Sequence, residues 1–128
     1  MTNIAIPIFV ESRYKVNKKR IRGSISNVLE KNDIKGPLEI SIAIVGDRKM
    51  RALSKKYKGE DKTRNVLSFS LTEGGSSFMQ KDMMRLGDIV ISYPEVIREA
   101  SRDEILVDEK IDELIIHGLD HLLGIHHE

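Results

Sequence analysis

All four histidines of this 128-residue chain, His117, His121, His126 and His127, fall within its last twelve positions. Neutral imidazole is the commonest side-chain ligand for transition-metal ions, so such a cluster points first to metal chemistry. An α-helix turns about 100° per residue, which leaves His117 and His121 about 40° apart and one turn from each other, able to hold one ion. Gly124 can adopt the left-handed conformation that ends such a helix. Ile125 can then fold back on Leu119 and turn the chain toward the same point. With His127 as the third ligand the spacing reads H-x3-H-x5-H. Three imidazoles around a single Zn2+ leave one tetrahedral position open, which is the arrangement of catalytic rather than structural zinc. Adjacent residues rarely aim at one centre, so His126 is assigned a supporting or solvent-facing role.

The same residues nearly spell H-E-x-x-H-x-x-G-x-x-H, the signature of a group of zinc peptidases that use the glutamate after the first histidine as general base. Here that position is Gly118, and Asp120 is too short and differently directed to replace it. A zinc metallopeptidase therefore remains only as an alternative.

The elements that must carry these groups can be read from hydrophobic periodicity. Ile111, Leu114, Ile115, Leu119 and Leu122 form a helical apolar stripe, with His117 and His121 beside it rather than within it. Ser101 or Asp103 is expected to cap this last helix, after a short helix opened by Pro94. Strands are expected at 3–10, 38–45, 65–71 and 86–92, the last two antiparallel neighbours, with helices from about Asn17 to Leu29 and from a cap at Asp47 to Tyr57. Gly59 is expected to end the second of these helices. The order predicts a single α+β domain over residues 1–128, a small mixed sheet covered by helices, with the C-terminal helix carrying the metal site.

With 40% hydrophobic and 32% charged residues and no long apolar run, the chain reads as a soluble globular protein that does not enter a membrane. It has no cysteine, and "MTNIAIPIFVES" lacks the marks of a secretory signal, so a cytoplasmic location is the simplest expectation. Net charge is +1, yet residues 1–64 carry 16 Lys+Arg against 7 Asp+Glu, a net of +9, and residues 65–128 carry 5 against 13, a net of −8. Basic and acidic helices pairing with one another would account for this. So would a basic surface, including Lys15, Lys18, Lys19, Arg22, Arg48, Arg51 and Lys55, that attracts a polyanion such as RNA.

"HGLDHLLGIHH" at 117–127 resembles the C-terminal signature H-G-x-L-H-L-x-G-Y-D-H of the YbeY family, single-strand-specific endoribonucleases of ribosomal RNA maturation. "LSKKYKGEDKTRNVLSFSL" at 53–71 is similar to that family's L-x-x-x-[YF]-R-x-x-D-x-x-T-[DN]-V-L-S-F, and "LGDIVIS" at 86–92 to its L-G-D-I-x-I-S. The resemblance implies one zinc ion held by His117, His121 and His127, an α+β fold, hydrolysis of RNA, and ribosomal RNA or a ribosomal subunit as partner; a monomer is the simplest expectation for the chain. It also marks departures. Lys58 stands where the family has arginine, Arg64 where it has a small residue, Asp120 where it has leucine, and Ile125 and His126 where it has tyrosine and aspartate. Lysine keeps the charge but not the two-pronged grip of a guanidinium on phosphate. Lys58 and Arg64 are therefore the candidate catalytic residues, with Arg64 restoring the guanidinium from the other end of the loop. The third possibility is a metal-stabilised RNA-binding factor of slight catalytic power.

Overall fold

In β3 (Leu38–Val45), Leu38, Ile40, Ile42 and Ile44 alternate with Glu39, Ser41 and Ala43, so one face of the strand is wholly apolar and the other mixed. The computed structural model describes residues 3–70, 79–80 and 83–124. In it β3 lies beside β6 (Met83–Ser92), which runs parallel to it. β1 (Ile4–Ala5) and β2 (Ile8–Val10) pair in parallel along the far side of β3. On the other flank of β6, β4 (Val66–Ser70) and the short β5 (Met79–Gln80) pair antiparallel with it. The expected antiparallel pairing of the 65–71 and 86–92 segments is therefore present, and the sheet is mixed. The expected strand at 3–10 is split in two, because Pro7 has no N–H to give to the ladder.

Among the described residues four helices cover the sheet. α1 (Lys18–Lys31), α3 (Tyr93–Asp103) and α4 (Val107–Leu123) share a core with the isoleucine face of β3, with Ile89 and Ile91 of β6 and with Val66 of β4. α2 (Asp47–Lys58) packs on the opposite face, where Met50 and Leu53 meet Val45, Leu67 and Val90. α1 starts at an Asn17 cap whose side chain accepts from the Arg20 N–H at 3.0 Å, and α2 ends at left-handed Gly59. No helix of the described residues is long and apolar enough to cross a membrane.

Two caps differ from expectation. Asp47 does not cap α2; Gly46 does, and the Asp47 carboxylate instead accepts from Ser92 Oγ (2.9 Å), Thr63 Oγ1 (3.1 Å) and Arg98 Nη2 (3.0 Å). Ser101 and Asp103 do not open the last helix but belong to α3, which left-handed Glu104 terminates. α4 begins after Leu106, whose backbone N–H donates to the Glu109 carboxylate at 3.0 Å.

Candidate active site

α4 buries Ile111, Leu114, Ile115, Leu119 and Leu122, each burial contributing roughly 1.5–3 kcal/mol. Packing of this stripe therefore fixes the helix, and His117 and His121, both exposed beside it, are left available for chemistry. Two glycines let the helix sit this close. Gly118, between the histidines, faces the sheet, and a Cβ there would lie 2.9 Å from Ser68 Oγ and 3.0 Å from Ile89 Cγ2. Gly87, at a shift in register where β3 meets β6, leaves room for the Phe69 carbonyl and for Leu122 of α4. Gly124 ends the helix in the left-handed conformation, as expected. His126 and His127, and the return of the chain at Ile125, lie outside the described residues.

Opposite the histidines runs the loop from α2 to β4, held from several sides. Thr63 is tied to Asp47, and the Asn65 amide donates to both oxygens of Glu99 at 3.1 and 3.2 Å. Arg64 Nε donates to the buried Ser54 hydroxyl at 3.0 Å, and its Nη2 pairs with Glu60. A guanidinium has five N–H donors, so this grip leaves others for a ligand. Lys58, in the last turn of α2, completes the arrangement. Lys58, Arg64, His117 and His121 line one cavity of about 170 Å3 together with Val66, Leu67 and Ser68.

All four described candidates thus converge, although 63 positions separate Lys58 from His121 in the chain (121 minus 58). Ser68 also belongs to the site, and residue type alone did not reveal it. Its hydroxyl donates to the Gly118 carbonyl at 3.4 Å. The available signal was strand alternation, which puts Ser68 on the face of β4 that meets α4. The proposed basic surface is not continuous: Lys18, Lys19 and Arg22 are on α1, whereas Arg48, Arg51 and Lys55 are on α2 across the sheet. Arg22 is further engaged with the Ile6 carbonyl at 3.2 Å.

Among the described residues, which do not include His127, no group of three potential ligands assembles around one point. The two histidines that are described fit a borderline metal ion: imidazoles one helical turn apart, about 5–6 Å between Cβ atoms, on the open side of the helix.

Imidazole donors facing an ammonium and a guanidinium across a small cavity could hold a cation and an anion together, a combination suited to hydrolysis of phosphate esters. The profile of the family described as Endoribonuclease YbeY matches residues 8–128. A protein named Endoribonuclease YbeY from Syntrophus aciditrophicus is 39% identical over 118 residues, covering 92% of this chain and 72% of that protein. The protein of that name from Magnetococcus marinus is 37% identical, covering 72% of this chain and 66% of its own length. The one from Anaeromyxobacter is 43% identical, covering 70% of this chain and 44% of its own length. The chain belongs to the YbeY family. Its fold is shared with the solution structure of TM1509 from Thermotoga maritima, at a TM-score of 0.60 and 22% identity, over 96% of this chain and 75% of that one.

Proposed function

We propose that this chain is a zinc-dependent endoribonuclease that cuts single-stranded RNA and acts in ribosomal RNA maturation, as a cytoplasmic monomer. The observation that carries this reading is the convergence of Lys58, Arg64, His117 and His121 on one cavity in a member of this family. His117, His121 and His127 would hold the zinc ion. When bound, the ion would supply a Lewis acid for a phosphoryl oxygen and lower the pKa of water.

The chain's own residues do the rest. Lys58 and Arg64 draw the phosphodiester into the cavity and stabilise the charge that grows on its oxygens as the bond breaks. Ser54 and Glu60 hold the Arg64 guanidinium in one orientation, so little side-chain entropy is lost when it binds. Ser68 ties β4 to the backbone between the two histidines.

A peptidase is disfavoured because residue 118, where such enzymes place their base, is buried against the sheet and has no room for a side chain. Incubating zinc-loaded protein with single-stranded RNA and with casein tests the assignment. RNA cleavage that a chelator and His121→Ala both abolish is the expected result, with zinc content falling from one ion per chain in that variant. Casein cleavage would revive the peptidase. Salt-sensitive RNA binding without turnover would identify a binding factor whose Lys58 has replaced the arginine of a working enzyme.

A further inference from the structure

α2 covers only part of its face of the sheet. Beside it lies a groove of about 300 Å3 whose walls include Ser41, Ala43, Leu53, Tyr57, Phe69 and Asp88. The Tyr57 and Phe69 rings meet at 4.4 Å between centroids with a 55° tilt, yet Tyr57 stays 53% exposed. Among the described residues that line it the one charged side chain is Asp88, whose carboxylate accepts a long 3.4 Å bond from Arg85, and the same guanidinium donates to Ser41 Oγ of the groove wall at 3.4 Å. A flat ring with N–H groups on its edge would find an aromatic surface and a carboxylate with acceptor capacity to spare.

The groove and the histidine cavity are neighbours around the edge of the sheet. Tyr57 lines the groove and Lys58 the cavity, while in β4 Phe69 lines the groove and Ser68 the cavity. At the rim, the Lys56 ammonium stands 5.2 Å from the Tyr57 ring centroid. Lys58 and Arg64 line the cavity and Tyr57 and Phe69 the groove, so a surface for a backbone phosphate and a surface for a base lie side by side, as a single strand needs.

We propose that the Tyr57–Phe69 groove is a nucleobase subsite that stacks one base of a nucleotide flanking the phosphate in the cavity. This rests on the RNA reading above, and the test separates the two. Oligoribonucleotides carrying a single abasic site, stepped along the positions flanking the cleaved bond, are compared as substrates of the zinc-loaded protein and of its Tyr57→Ala and Tyr57→Phe variants. One abasic position should raise KM roughly tenfold in the parent, as loss of one stacked base does. Tyr57→Ala should raise KM for the intact strand by a similar factor and abolish the further effect of that abasic site. Tyr57→Phe, which keeps the ring, should behave as the parent. Cleavage indifferent to every abasic site, or a Tyr57→Ala protein that still responds to one as the parent does, overturns the subsite and leaves the RNA assignment standing. A parent protein that cleaves no single-stranded RNA overturns both.

Discussion

One missing methyl group decides where the histidine helix can sit. At Gly118 a Cβ would press on Ser68 Oγ and Ile89 Cγ2, so a substitution has to displace these side chains or lift α4. Gly118→Ala is expected to cost about 1–3 kcal/mol in denaturant unfolding and to lower RNA cleavage with it. A variant as stable as the parent would show that α4 does not rest on β4 in this way. Charge placement at the cavity gives a second expectation. Arg64 is gripped by Ser54 and Glu60, whereas Lys58 is a flexible point charge, so Arg64→Ala should reduce cleavage by roughly 10²–10³-fold and Lys58→Ala by less. Cleavage unchanged in Arg64→Ala but lost in Lys58→Ala would show that Arg64 does not replace the family arginine. His117, His121, Lys58 and Arg64 were legible in the sequence because their types carry chemistry. Ser54, Ser68 and Glu99 were not, because a serine or glutamate takes its role from what it touches, and these touch residues distant in the chain.

Among the elements, those with an apolar rhythm were legible and the junctions between them were not. β3 has the boundaries its alternation implies, and α1 and α2 lie within two residues of theirs. The α3–α4 corner differs because Ser101 and Asp103 have the chemistry of a cap, yet left-handed Glu104 ends α3 and passes the start to Leu106. Asp103 is occupied otherwise. It accepts from Lys110 Nζ at 2.7 Å, and Glu113 accepts from the same ammonium at 3.1 Å, although the lysine side chain is only 2% exposed. The Asp103 hydrogen bond outweighs desolvation and holds the Lys110 pKa above its ordinary value. Both carboxylates reach solvent, so removing the ammonium strands no buried charge, and the stem's packing should dominate the energetics. Lys110→Met is therefore expected to change stability by less than about 1 kcal/mol, and Lys110→Ala to cost about 2 kcal/mol, measured by urea unfolding. Equal losses in the two variants would mean that the ion pairs, not the stem, hold the corner.

Across the whole molecule, the division into a basic and an acidic half is partly resolved by contacts between them. Arg20 of α1 reaches Asp112 of α4 at 2.8 Å and so pairs the basic half with the acidic one, whereas Arg98 of α3, which reaches Asp47 of α2 at 3.0 Å, joins a cation of the acidic half to an anion of the basic half. The Asp47 tie joins the most parts, since one carboxylate links the start of α2, the Arg64 loop through Thr63, and the β6–α3 junction through Ser92. Burial alone would raise its pKa, but bonds from Arg98, Ser92 and Thr63 outweigh that and hold it below the ordinary carboxylate value. A carboxylate whose folded pKa is depressed binds fewer protons folded than unfolded. Its contribution to stability is thus complete above the unfolded value of about 3.9 and is lost as pH falls through the lower folded one. The parent should accordingly lose stability steeply on acidification below about pH 4. Asp47→Asn should be less stable at neutral pH and show a shallower acid limb in thermal melts taken from pH 7 downward. Because the same tie braces the loop that carries Arg64, the variant should also lose RNA cleavage at pH 7, where it remains folded. A variant that melts with the parent's acid slope and cleaves at the parent's rate would disconnect Asp47 from both.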